Sequence, residues 1–146
     1  MEFNKVICIS CIEYMKTLEI GKDGFEGFNL IIADPPYFIT KEEWDVQWKT
    51  EKEYLAWCEQ WIYECARVLK PKGTMFIWGV FPMIDEITVM ARKYLNALQE
   101  VIWYKPNGTP LGGQNYFRKL IENCKCFTKG KDHIFNGDDV REPYPD

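Results

Sequence analysis

Asp34-Pro35-Pro36-Tyr37 puts a carboxylate, two fixed backbone carbonyls and a flat ring within four residues. Prolines 35 and 36 carry no N–H and fix their own φ angles, so nearby carbonyls are rigid acceptors that neither helix nor sheet consumes. Asp34 and the Pro35 carbonyl can together accept both hydrogens of an exocyclic amine. That pulls the nitrogen lone pair out of conjugation and aims it at an electrophile. The Tyr37 ring can stack on a heteroaromatic base swung out of a duplex. Such chemistry requires no covalent intermediate and no metal.

An apolar run over residues 28–33 predicts the buried strand that delivers Asp34 at its end. Upstream, residues 6–9 read as a strand. Ser10 reads as the N-cap of a helix over 12–18, with Glu13 at capping-box spacing. Gly21, Gly24 and Gly27 break the chain between them. Residues 38–48 read as a loop whose Trp44 and Trp48 either fold over a ligand or pin the loop to the domain. Thr50 then caps a helix in which Tyr54, Trp57, Cys58, Trp61, Ile62 and Cys65 recur at three- and four-residue steps, a core stripe ended by residues 70–73. Residues 74–78 are apolar on both faces, as in a central strand. A helix over 83–98, a strand over 98–104, a loop over 105–116 and a strand over 121–128 complete an open α/β sheet with helices on both faces. Residues 1–129 form one domain, and 130–146 an extended tail or linker.

With 146 residues, 47% hydrophobic and 16% aromatic, the chain is long enough for one real core. No signal-peptide pattern or membrane-length apolar run is present, which predicts a cytoplasmic protein without a membrane partner. The net charge of −4 is unevenly spread. Residues 105–133 hold six basic and two acidic side chains, a net of +4, while the rest of the chain is acidic. That region is either a footprint for phosphates or a solvated basic face. Six cysteines without a signal peptide read as reduced thiols. Cys8-x-x-Cys11 with Cys124-x-Cys126 could form a four-thiolate zinc site, but both pairs sit on or beside predicted buried strands, so inert thiols are the better reading and no metal is assigned. The one histidine, His133, lies in a charged tail and offers no triad.

Asp34-Pro35-Pro36-Tyr37, preceded by residues 29–33, resembles the D-P-P-Y motif of the S-adenosylmethionine-dependent amino-methyltransferases of DNA. Other stretches fit the same family. Residues 10–13 resemble its G-D-C-L-E start, 66–74 its R-V-L-K-P-G-G segment, and 101–107 its I-V-W-x-K-x-N. Arg118 and Glu122 fall where it has R-x-x-x-x-E, and 138–144 resemble the lead into target recognition. The likeness runs from about residue 6 to residue 144.

This resemblance implies a partial Rossmann-like methyltransferase sheet that transfers a methyl group from S-adenosylmethionine to a flipped base of DNA. Asp34, Pro35, Pro36 and Tyr37 would be catalytic, and Ser10 and Asp34 would meet the cofactor. Trp44, Lys105, Asn107, Arg118 and Lys119 would contact DNA. D-P-P-Y favours adenine N6 over cytosine N4, whose motif usually begins with Ser. The family's F-x-G-x-G cofactor strand is lacking, and Gly21, Gly24 and Gly27 are not placed to replace it. Ser10 stands where the family commonly has Asp. With only 33 residues before Asp34, the order matches the permuted β-type enzymes, in which the catalytic half comes first. This chain alone would then bind the cofactor weakly or not at all. The missing strands would lie between residues 6–9 and 28–33, so either those two segments pair or the open edge is completed by a second protein chain or a homodimer. Two alternatives remain: a degenerate fragment acting as a DNA-binding or interaction module, and an RNA or small-molecule amino-methyltransferase.

Overall fold

The computed structural model describes residues 4–40, 42–45, 47–107 and 120–143. Its elements run α1 (Cys11–Lys16), β1 (Phe28–Ala33), α2 (Glu51–Val68), β2 (Leu69–Gly79), α3 (Met83–Ala91), β3 (Asn96–Tyr104), β4 (Ile121–Thr128) and a short turn α4 (Gly137–Val140). The strands form one mixed sheet in the order β1-β2-β4-β3. β1 and β2 are parallel, joined through α2, while β4 is antiparallel to both of its neighbours. The α/β class and the partial sheet are as the sequence predicts.

Burial alternates along β2, so one face carries Met75 and Ile77 and the other Phe76 and Trp78. Met75, Ile77 and Phe127 are fully buried with Tyr54, Ile62, Ile84 and Ile87, and Ile12 and Met15 of α1 join the same core. Each such large apolar side chain contributes about 1.5–3 kcal/mol on burial. Helices are expected on both faces, yet α1, α2 and α3 all share this one core. The other face leaves Leu30, Ile32, Val101 and Trp103 exposed. At one end of that face residues 133–135 close an apolar hollow of about 460 Å³ against Leu30, Phe76 and Gln99. The Ile134 N–H donates to the Lys72 carbonyl there.

Several boundaries depart from the sequence reading. Residues 6–9 form no strand, and Val6 is wholly exposed. A strand exists only by its ladder, and among the described residues β1 pairs with β2 alone, with no strand on its other edge. Ser10 occupies the N-cap of α1, but its side chain makes no capping bond. By contrast Thr50 caps α2, accepting from the Glu53 N–H at 3.2 Å, while the Glu53 carboxylate accepts from the Lys49 N–H at 2.8 Å. α2 stops at Val68 and the chain enters β2 directly, so residues 70–73 lie within β2 rather than forming a separate helix end. The ladder absorbs them, since Phe28 pairs with Leu69 but Leu30 with Thr74. Helix α3 ends at Ala91, not at 98, because residues 96 and 97 are taken by β4 opposite Thr128 and Phe127. Pairing with β4 overrides the helical spacing of Leu95 and Leu98.

Candidate active site

The strand register places the motif. Ala33 pairs with Ile77, and Asp34 emerges one residue later at the carboxyl end of β1. There Asp34, Pro35, Pro36 and Tyr37 line an open cleft of about 590 Å³ with Trp44, Trp103, Lys105 and Glu122. Carboxyl ends of parallel strands are where open α/β sheets bind ligands. Two distant parts of the chain converge here: the end of β1 with the loop that follows it, and the β3–β4 pair.

Within the motif the Tyr37 hydroxyl donates to Asp34 Oδ1 at 2.6 Å. Burial, and after it this bond to a carboxylate, raises the Tyr37 pKa, so the phenol stays protonated as a donor. Tyr54, wholly buried in α2, donates its hydroxyl to the Pro36 carbonyl at 2.7 Å. That carbonyl is therefore committed to the fold. No described residue donates a hydrogen bond to the Pro35 carbonyl or to Asp34 Oδ2, and both residues line the cleft.

The loop after the motif is folded around a second acid. Asp45 is fully buried, and its carboxylate accepts from three successive backbone N–H groups: Phe38 at 2.8 Å, Ile39 at 2.9 Å and Thr40 at 2.6 Å. Burial alone would raise its pKa, but the N–H groups of Thr40, Ile39 and Phe38 together outweigh burial and hold it below the ordinary value. Phe38 has φ +58°, a left-handed conformation that costs a non-glycine residue about 1–2 kcal/mol. The Asp45 bonds and the stacking of Phe38 on Tyr54, at 5.1 Å and 11° between planes, offset that cost. The sequence reading assigns Asp45 no role. Its signal is faint: one acid between two tryptophans in a loop.

The two loop tryptophans divide. Trp48 packs on Tyr54 and Trp57 with ring centroids 5.1 and 4.6 Å apart, so it pins the loop. Trp44 is 58% exposed and lines the cleft. In the same cleft, Lys105 Nζ lies 4.1 Å from the Trp103 ring centroid and forms a short ion pair with Glu122. Trp103 in turn meets Trp78 edge-on at 5.9 Å. Trp103 is a cleft residue that the sequence analysis does not single out, because its place depends on how β3 pairs.

Other sequence candidates fall elsewhere. Ser10 is exposed at the start of α1 and does not line the cleft with Asp34. Asn107 is exposed just past Lys105, and Arg118 and Lys119 lie outside the described residues. Gly27 has φ +94°, and a Cβ there would meet the Val68 carbonyl oxygen at 2.8 Å, so its glycine is needed to pack against the α2–β2 junction. Cys58, Cys65, Cys124 and Cys126 are buried, and burial pushes the Cys124 thiol up to about 11 and Cys65 to about 12. Cys8 and Cys11 are exposed rather than buried, and no group of three or more potential metal ligands comes together among the described residues. No helix among them is long and apolar enough to cross a membrane.

Known proteins resemble this chain in sequence and in fold. Residues 28–146 match the N6/N4 methyltransferase family model, described as DNA methylase. The type II methyltransferase M.HinfI of Haemophilus influenzae is 32% identical over 149 residues, spanning 90% of this chain and 40% of its own length. DNA adenine methyltransferase YhdJ of Escherichia coli (strain K12) is 31% identical over 126 residues, spanning 84% of this chain and 42% of its own length. A putative DNA modification methylase from Thermus thermophilus, TTHA0409, superposes with a TM-score of 0.64 at 20% identity, over 91% of this chain and 58% of that one, a likeness of fold. It has also been solved with S-adenosyl-L-methionine. The chain thus spans about half the length or less of these two curated relatives. Its D-P-P-Y cleft at the end of β1 and the family match over residues 28–146 together establish that the chain belongs to the N6/N4 DNA methylase family.

Proposed function

We propose that this chain is the catalytic half of an adenine-N6 DNA methyltransferase, working in the cytoplasm with S-adenosylmethionine as methyl donor. The observation that carries the reading is the placing of Asp34, Pro35 and the Tyr37 ring in one open cleft, where no described residue donates to Asp34 Oδ2 or the Pro35 carbonyl. The relatives named above, one of them a DNA adenine methyltransferase, favour adenine as the target.

In this reading a flipped adenine enters the cleft and stacks on Tyr37. Its exocyclic amine donates one hydrogen to Asp34 and the other to the Pro35 carbonyl, which draws the nitrogen toward a tetrahedral shape with an exposed lone pair. The cofactor supplies an electrophilic methyl group on a sulfonium. As the new N–C bond forms, the S–C bond breaks, its electron pair stays on sulfur as a thioether, and Asp34 holds the amine proton that is then lost to solvent. Fixed acceptors aimed at developing positive charge stabilise this transition state without reorganising.

The residues present fit the amine and base side of the reaction. Among the described residues no glycine lines this cleft, and Gly27 is taken up in packing. We therefore assign the remaining cofactor contacts to a further polypeptide segment or partner that continues the sheet beyond β1, whose outer edge no described strand pairs with and whose Leu30 and Ile32 are exposed. Lys105, Asn107, Arg118 and Lys119 would contact the DNA backbone.

Radiolabelled methyl transfer to DNA tests this, with the chain assayed alone and with a polypeptide supplying the glycine-rich half. Expected are N6-methyladenine as product only in the completed form, and its loss in Asp34→Ala with cofactor affinity retained. Tight cofactor binding by the chain alone would overturn the half-site assignment. N4-methylcytosine as product would overturn the choice of base, and methylation of RNA in place of DNA would overturn the choice of substrate.

A further inference from the structure

Tyr37 is held from both sides. Before it, the Pro36 carbonyl is tied to the buried Tyr54 hydroxyl. After it, the Phe38 N–H is tied to Asp45 Oδ1, and the next two N–H groups to Asp45 Oδ2. Three successive N–H groups turned onto one carboxylate form a concave anion nest, here filled by the protein's own side chain. The acid that fills it is the chain neighbour of Trp44, which also lines the cleft. One buried carboxylate thus joins the two aromatic side chains that this loop contributes to the site.

We infer that Asp45 is a positioning residue, fixing the backbone turn at Phe38 so that Tyr37 is presented over Asp34 and Trp44 is kept at the cleft rim. It is not a second catalytic acid. Asp45 is fully buried, its oxygens are taken by three N–H donors, and it does not line the cleft. The left-handed Phe38 supports the inference, since a bulky residue keeps that conformation only where its surroundings over-determine it. Two anchors on a one-residue span leave Tyr37 its side-chain torsions as the main freedom. The phenol can then leave Asp34 when an amine arrives, without the loop reforming.

The inference deepens the function proposed above, where Tyr37 is the stacking ring, but its test needs neither cofactor nor DNA and so stands or fails separately. The protein is labelled with 3-fluorotyrosine, and the Tyr37 line is assigned by its absence in Tyr37→Phe. In Asp45→Asn, which keeps the shape but loses the charge, the Tyr37 fluorine line is expected to shift toward the position of an unstructured tyrosine. The Phe38, Ile39 and Thr40 amides should exchange about tenfold faster or more, roughly the loss of one charge-assisted hydrogen bond. Amides of Ile77 and Phe127 in the sheet should be unchanged. An unmoved Tyr37 line with faster loop exchange would overturn the inference, because Asp45 would then shape the loop without governing the ring. Equal acceleration in loop and sheet would also overturn it, marking Asp45 as a general stabiliser. If Asp45→Asn does not fold, a backbone ester at Thr40 removes that single N–H, and the same Tyr37 shift is expected.

Discussion

The Tyr37 hydroxyl donates a 2.6 Å hydrogen bond to Asp34 Oδ1, so the ring and the carboxylate of the motif are bonded to each other. In the proposed reaction an incoming amine takes that oxygen from the phenol or uses Oδ2. Tyr37→Phe and Tyr37→Ala separate the two roles of the side chain. Tyr37→Phe keeps the ring and frees Asp34, so binding of a DNA duplex carrying 2-aminopurine at the target should be equal to or tighter than that of the parent. Tyr37→Ala removes the stack and should weaken it by about 1–3 kcal/mol. Fluorescence titration of the 2-aminopurine reads both.

Acid should open the loop before the sheet. The folded-state pKa of Asp45 lies below the ordinary 3.8, so its contribution is complete above 3.8 and is lost as pH falls through the lower folded value. Tyr54, whose ring stacks on Phe38 of this loop, has its pKa raised and remains neutral throughout that range. Protection of the Phe38, Ile39 and Thr40 amides should therefore decline relative to Ile77 and Phe127 below pH 3.8. Hydrogen exchange followed by NMR across the acid range checks this.

Under the DNA contact proposed for Lys105, its ion pair with Glu122 should enter the salt dependence of binding. Glu122 pairs with Lys105 in the cleft, so in that proposal a phosphate competes for the ammonium. Lys105→Ala is expected to lower the slope of log K against log salt by about 1, and Glu122→Gln to tighten binding at low salt. Fluorescence anisotropy at a series of salt concentrations reads both slopes.

Lys129 closes the end of α2. Its ammonium donates to the Leu69 carbonyl at 2.7 Å and the Arg67 carbonyl at 3.2 Å, where the helix gives way to β2. Lys129→Met keeps the stem but leaves those carbonyls without the donor, and should destabilise the fold by about 1–2 kcal/mol. Urea unfolding should report a lower midpoint with an unchanged m-value.

Gly27→Ala should be more costly than the same change at another left-handed glycine. Gly27 has φ +94°, and the added Cβ would lie 2.8 Å from the Val68 carbonyl oxygen, which is backbone and cannot turn aside. Gly24 has φ +75°, but its Cβ would meet nothing within 4 Å. Gly24→Ala should therefore cost only the backbone strain, about 1 kcal/mol, and Gly27→Ala about 2–3 kcal/mol, strain and clash together. Thermal unfolding of the two variants side by side measures the difference.

Local chemistry alone determined much of this protein. Two prolines after an apolar run fix Asp34 at a strand end, and the three- and four-residue spacing of Tyr54, Cys58, Trp61, Ile62 and Cys65 makes α2 and its buried face. Both follow from short-range sterics and periodicity, and both are readable in the order of residues. Only the tertiary structure decided which side chains face Asp34. Trp103 and Glu122 reach the cleft because β3 pairs with β4 and β4 with β2, with about 70 residues separating Trp103 from the motif. Trp44 and Trp48 look alike in the sequence, yet the packing of Trp48 on Trp57 sends one inward and leaves the other at the rim. Residues 6–9 have the composition of a strand and form none, since the ladder that would hold them is set by a neighbouring strand. Asp45 is the sharpest case. Nothing in its immediate neighbours marks a buried acid, because its three partners are backbone N–H groups, which every sequence carries and only the folded turn aligns.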